Sequence, residues 1–227
     1  MIINQGGGMN SFSFKRDSTP LNIIDKLQKL LIPLSGSPFE LRERQTFELS
    51  PSKEKSGIIL LTEGVVTIHN YYTKNHVSTT FSPSVIGLMD CYSILYDIKE
   101  RPRHYLQAQT QSKFFFVPVD IFLEVADKYS LWHDVSTLLV NRLMFASLRD
   151  QELVGVNTYS MIYALLQELW LYPESYRSKK NVQEFISGRC GVSRSQTMKI
   201  LSDLRKGGYI QIRLGVLTNL NKLPKKY

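Results

Sequence analysis

The chain is poor in cysteine, in long apolar runs and, over its final quarter, in acidic residues, and each shortage narrows what it can be. Its two cysteines, Cys91 and Cys190, lie far apart, so they cannot build a disulfide framework or a four-cysteine metal site, and the chain reads as reduced and intracellular. No apolar stretch approaches the ~20 residues that cross a bilayer, and no basic start followed by an apolar segment marks the N-terminus for export, so a cytoplasmic protein without a membrane anchor is expected. The nucleophile-elbow, zinc-protease, P-loop and dinucleotide-fold signatures are all missing, which argues against an enzyme. His69, His76, His104 and His133 show no metal-ligand spacing, so no metal is expected. What is present is an ordinary globular composition, 43% apolar and 21% charged over 227 residues, with room for one large domain or two small ones.

The net charge of +8 is unevenly placed. Residues 175–227 hold twelve Lys and Arg against only Glu184 and Asp203, a net +10, while the other 174 residues carry sixteen basic and eighteen acidic groups, a net −2. Apolar residues are interleaved through the basic quarter, so it is a folded module and not a solvated tail. A neutral domain followed by a polyanion-binding domain is the reading.

Residues 21–32 place Ile23, Ile24, Leu27, Leu30 and Leu31 at helical spacing up to Pro33. From 39 to about 119 short runs rich in Val, Ile, Thr, Tyr and Phe alternate with Gly and Pro, which predicts an antiparallel barrel or sandwich. The clearest strands, Ile58 to Leu61 and Val65 to His69, are expected to pair as a hairpin through Thr62, Glu63 and Gly64. Helices are expected at 121–128 and over about 131–154, where Trp132, Val135, Leu139, Leu143, Ala146 and Leu153 form a heptad-like stripe suited to pairing with a second copy. Gly155, Val156, Asn157 and Thr158 read as a hinge before a third helix, Tyr159 to Tyr172, and a polar loop follows.

The sharpest signal is the segment NVQEFISGRCGVSRSQTMKILSDLRKGGYIQIRLGVLTNL. A short helix ends near Gly191, and Ser193 with Gln196 forms a capping box that starts a second helix. Thr197, Ile200, Leu201 and Leu204 take one face of that helix; Arg194, Ser195, Met198, Lys199 and Ser202 take the other. Gly207 and Gly208 end it, and two alternating runs turned at Leu214 and Gly215 make a wing. This is a winged helix-turn-helix, and the helix fits the ~12 Å major groove. Arg194 can donate two bonds to a guanine, Lys199 can reach a base or phosphate, Ser195 is an adaptable partner and Met198 suits a thymine methyl. Arg205, Lys206 and Arg213 suit phosphates.

With VSRS opening the recognition helix, the module resembles the DNA-binding domain of the cyclic-AMP receptor protein and fumarate-nitrate regulator superfamily, whose element order also covers nearly the whole chain. The ending LRKGGYIQIRLGVLTNLNKLPKKY is similar to that of the enterobacterial regulators named for inhibiting hydrogen peroxide resistance. The resemblance implies an α+β fold with a cyclic-nucleotide-binding-like β-roll, a long dimerisation helix and a C-terminal winged helix-turn-helix. It implies double-stranded DNA, a second copy of the chain and RNA polymerase as partners. The family's nucleotide cassette, a Gly-Glu pair followed by Arg-Ser-Ala, is degenerate here: Gly87 precedes Leu88, and Pro102, Arg103 and His104 stand where the tripeptide belongs, with Arg101 or Arg103 as substitute cations and no evident carboxylate. Cyclic AMP is therefore not expected to bind, and no cofactor is expected, since the iron-sulfur variant needs a cysteine cluster. Cys91, beyond Gly87, is weighed as a peroxide-sensing thiol whose pKa Arg101, Arg103 and His104 would lower, against a buried apolar filler.

The domains expected are a flexible leader at 1–15, a β-roll sensor-like domain at 16–130, a dimerisation helix at 131–155 and a winged helix-turn-helix at 156–227. The function expected is sequence-specific transcription regulation in an oxidative-stress response. The alternatives are a ligand-sensing or scaffold protein whose basic head binds protein or RNA, and a cupin-like metalloenzyme.

Overall fold

A computed structural model describes Ser11, residues 17–98 and residues 101–224. These fall into two compact units, residues 20–139 and residues 140–224 with Ser11 and residues 17–19.

The first unit opens with helix α1 (Leu21–Leu31), followed by a 3-10 turn, Ile32–Leu34. Eight strands follow: β1 (Phe39–Leu41), β2 (Thr46–Glu48), β3 (Gly57–Glu63), β4 (Val65–Asn70), β5 (His76–Phe81), β6 (Ser84–Ile86), β7 (His104–Ala108) and β8 (Ser112–Pro118). They form two four-stranded antiparallel sheets, ordered β1-β8-β3-β6 and β2-β7-β4-β5. Strand β3 is buried on both faces. Ile59 and Leu61 join Val66, Leu106 and Phe114 between the sheets, while Ile58 and Leu60 pack with Ile24, Leu27 and Leu31 of α1. Phe39 stacks on Phe47 and Phe114 with ring centroids 5.1 and 5.0 Å apart, filling the roll's interior with aromatic surface.

The expected hairpin between β3 and β4 does not form: β3 pairs with β6 and β8, and β4 with β5 and β7. Gly64 turns the chain from one sheet to the other at φ +95°, and a Cβ there would lie 2.3 Å from Ser112 Oγ. Because β3 is apolar on both faces, it needs covering on two sides, which a corner between sheets supplies and an isolated hairpin does not. Gly64→Ala is expected to cost about 2 kcal/mol in thermal unfolding, from left-handed strain and overpacking together; an unchanged midpoint would contradict this corner.

Helix α2 (Leu88–Leu95) was not expected. It starts at Gly87, whose φ of +89° sets the entry, and buries Leu88, Asp90, Cys91 and Ser93. Helix α3 (Val119–Lys128) leads to the long helix α4 (Trp132–Leu153), within which the two units divide. On α4, Val135 and Leu138 are buried, but Val140, Leu143 and Met144 are exposed, at 54%, 70% and 49%. The leader falls outside the described residues except for Ser11, which is buried and whose N–H and Oγ both donate to Glu152 of α4.

The second unit continues with α5 (Thr158–Leu171), α6 (Glu174–Arg177), α7 (Val182–Ser187), α8 (Arg194–Lys206) and a hairpin of β9 (Ile210–Arg213) and β10 (Val216–Leu220). The expected polar loop before the last module contains α6, which buries Tyr176 beside Tyr172. Ile162, Leu166, Leu169, Ile186, Leu201, Leu204 and Leu217 form this unit's interior.

Candidate nucleic-acid interface

Helix α8 is fixed at both ends by local chemistry. Ser193 Oγ accepts from the Gln196 N–H, capping the start, and also donates to Gln196 Oε1, so the box closes through the hydroxyl. At the other end Gly207 keeps helical dihedrals and Gly208 takes the left-handed conformation, φ +74°. Gly208 N–H donates to the Arg205 carbonyl and Tyr209 N–H to the Leu204 carbonyl, which is a Schellman termination. Thr197, Ile200, Leu201 and Leu204 are buried. Arg194, Ser195, Met198, Lys199, Arg205 and Lys206 are exposed, and Ser202 is half-buried.

The wing turns at Leu214 and Gly215, both with positive φ (50° and 81°), the pattern of a type I′ hairpin. Leu214 is fully exposed there, an apolar side chain in a conformation that favours Gly or Asn. The wing is held to the helix-turn-helix: Val182 N–H donates to the Gly215 carbonyl at 2.8 Å, and Asn181, whose side chain caps α7, packs against Gly215.

Between wing and α8 lies a cavity of about 360 Å³ that divides the sequence candidates. Arg194, Met198, Ser202 and Arg205 line it, with Leu201 and Ile212 behind them and no carboxylate in its wall. Ser195, Lys199 and Lys206 lie outside it on α8, and Arg213 is exposed on the wing. Asn181 and Leu214 are wall residues that sequence reasoning missed; an Asn before a helical run was a legible cap, but nothing in the pattern placed it against the wing.

Not all of the module's positive charge faces outward. Arg177 lies over the Trp170 ring at 4.0 Å and donates to the Trp170 carbonyl. Arg189 is buried over Phe185 with its Nε 3.9 Å from Glu168, so the net +10 overstates what a polyanion meets. Lys225 and Lys226 fall outside the described residues.

In the β-roll, Gly87 and Leu88 open α2, and the cations behind them have protein partners. Arg103 pairs with Glu48 and lies over the Tyr71 ring at 4.6 Å. Arg101 donates to the Ser50 carbonyl at 2.6 Å, and His104 Nδ1 donates to Asp90 at 3.1 Å. Sequence reading found no carboxylate here; the fold brings two, Glu48 from β2 and Asp90 from α2. Of the two readings of Cys91, its burial favours the apolar filler over the peroxide-sensing thiol. Burial pushes its thiol up to about 11, and Asp90 and Asp120 push the same way. At 1% exposure Cys91 is a packed apolar group, protonated at neutral pH. Among the described residues no group of three or more His, Cys, Asp or Glu is placed to hold a metal ion, and no helix is long and apolar enough to cross a membrane.

Residues 158–225 match the family model for winged helix-turn-helix DNA binding. Over 210 residues the chain is 29% identical to the inhibitor of hydrogen peroxide resistance of Salmonella typhimurium, covering 92% of this chain and 98% of that protein. The protein of the same name from Escherichia coli is 28% identical over 208 residues, covering 92% and 97%. Among solved structures, the chain is similar to the c-di-GMP-responsive global regulator CLP of Xanthomonas campestris, with TM-score 0.65 and 14% identity over 89% of this chain and 100% of that one. It is also similar to a putative Crp/Fnr-family transcriptional regulator from Eubacterium rectale, with TM-score 0.64 and 13% identity over 91% and 93%. The fold is thus that of Crp/Fnr regulators: a cyclic-nucleotide-binding-like β-roll, a long helix and a C-terminal winged helix-turn-helix.

Proposed function

We propose that this chain is a sequence-specific, double-stranded-DNA-binding transcription regulator that acts as a homodimer. The observation that carries the reading is α8 itself, capped at both ends, anchored by Thr197, Ile200, Leu201 and Leu204, and presenting Arg194, Ser195, Met198 and Lys199 to solvent on a basic module. A helix so held can enter a major groove as a rigid body, and these side chains carry the donors and apolar contact that base edges require. The functional division proposed is a β-roll at 16–130, a dimerisation helix at 131–155 and a reading head at 156–227, with RNA polymerase as a further contact. Each head takes one half-site, with centres ~34 Å apart along a pseudo-palindrome.

Selection of bound sites from random duplexes tests this directly, and a library that yields no enriched motif would point to a protein or RNA partner for the head. Two substitutions separate reading from holding. Arg194→Ala is expected to lose ~1–3 kcal/mol and relax preference at one base pair, whereas Lys206→Ala weakens all sequences alike and flattens the salt slope by about one. Equal losses on selected and random duplexes for Arg194→Ala would remove its base-reading role.

The name of the two relatives, inhibitor of hydrogen peroxide resistance, supports a role for this regulator in hydrogen peroxide defence. Cys91 is not the sensor in this reading, because its thiol is buried and protonated. The selected motif and its affinity are therefore expected to be the same with and without peroxide. Cyclic AMP is not an effector: Arg101, Arg103 and His104 already engage Ser50, Glu48 and Asp90. Calorimetry showing micromolar binding of the nucleotide would refute this.

A further inference from the structure

Asp90 is a carboxylate buried to 3% exposure among cations. Its Oδ1 accepts from the His104 backbone N–H at 3.2 Å and from His104 Nδ1 at 3.1 Å, and Oδ2 lies 3.2 Å from the same ring nitrogen. Arg101 Nη1 stands 3.8 Å from Oδ1 and is buried with no hydrogen-bond partner among the described residues, while Nη2 is held by the Ser50 carbonyl. The carboxylate also sits in the first turn of α2, where the helix's free N–H ends favour negative charge. A backbone donor, an imidazole donor, a guanidinium and a helix start converge on one small volume, and the anion that the described residues place in it is the chain's own Asp90.

We infer that Asp90, Arg101 and His104 constitute an anion-binding site for a carboxylate- or phosphate-class group, and that in this chain the site is permanently filled by its own Asp90. The three residues belong to separate elements: the acceptor Asp90 to α2, and the donors Arg101 and His104 to the segment before β7 and to β7 itself. An anion at their meeting point therefore ties α2 to the β2-β7-β4-β5 sheet. An internal ligand fixes that tie without an effector, because a tethered carboxylate has an effective concentration no free anion matches. A β-roll filled in this way has one state and needs no signal to reach it. The inference stands independently of DNA binding, since it is read from the stability of the β-roll alone.

Asp90→Gly deletes a side chain whose missing atoms are those of acetate, so acetate is the probe. In the full chain, this variant is expected to melt well below the wild type in plain buffer and to regain about 5 °C or more as acetate or inorganic phosphate rises to tens of millimolar, saturating as a single site does. The wild type stays flat over the same range, as does Asp90→Asn, in which the position is still filled. Adding Arg101→Gln to Asp90→Gly is expected to abolish the rescue. If Asp90→Gly does not fold in plain buffer, refolding in acetate should recover it where sodium chloride of equal ionic strength does not. A variant that no anion stabilises or refolds, or an equal anion response in the wild type and Asp90→Asn, overturns the inference and leaves the proposed DNA reading intact. Failure of the duplex selection, conversely, leaves the anion site standing.

Discussion

Replacing Glu168 by alanine is expected to destabilise the second unit by about 3–5 kcal/mol, the cost of removing one partner from a buried ionic cluster. Glu168, on α5, is only 8% exposed and accepts a hydrogen bond from the Tyr172 hydroxyl. Its other oxygen lies 4.0 Å from Arg149 Nη1 on α4, and Arg189 Nε stands 3.9 Å from the first. Both arginine side chains are nearly enclosed, at 13% and 8% exposure, so each guanidinium would lose a neighbouring negative charge without gaining water. The measurement is the thermal midpoint of the full chain, and a fall of more than about 10 °C is expected for a unit of this size. Glu168→Gln keeps an acceptor for Tyr172 and loses only the charge, so it should fall between. Glu184, exposed on α7, provides the control: Glu184→Ala is expected to stay within about 0.5 kcal/mol. A Glu168→Ala midpoint within a degree or two of the wild type would mean that the cluster is ornamental.

The second large effect is on assembly. Val140, Leu143 and Met144 present apolar surface at one-turn spacing on α4, and Leu143 is 70% exposed. Desolvating such a strip against its copy is the driving force of a helix-paired dimer, and two heads on one dimer bind a pseudo-palindrome with each other's help. Leu143→Glu is expected to convert the protein to monomer in sedimentation velocity and to lower affinity for the selected two-half-site duplex by about 10²–10⁴-fold, as avidity is lost. Because the side chain touches little within its own chain, the unfolding midpoint at low concentration should hold. A dimer surviving the substitution would place the interface elsewhere.

Much of the reading head was legible because its signals are local. A capping box, a Gly-Gly stop, a helical stripe and a two-residue turn each depend on neighbours within a few residues, and Ser193, Gly208 and Leu214 do what the pattern implied. The β-roll was legible as a texture but not as a topology. Strands β3 and β4 are consecutive, yet the chain turns at Gly64 from one sheet to the other, packed against Ser112, far along the chain. Charge was misjudged for the same reason. Arg189 reads as surface in a basic segment, and its partner Glu168 lies outside that segment. Asp90 and Glu48 could not be assigned to Arg101, His104 and Arg103 by spacing, since no periodicity relates residues that only the folded chain brings together. For Cys91 the charges near it in sequence left a sensing thiol and a buried filler both open, and desolvation favours the filler.

Strand β1 is the first of the roll to be synthesised and pairs only with β8, the last, while β3 waits for the same strand. On the ribosome the N-terminal unit therefore cannot close until β8 has cleared the exit tunnel, and β1 and one edge of the apolar β3 must remain unpaired and chaperone-accessible until then. The head, built from neighbouring helices and one tight hairpin, carries no such delay. Slowing translation just after β8 should raise soluble yield, and slowing it just before should lower it.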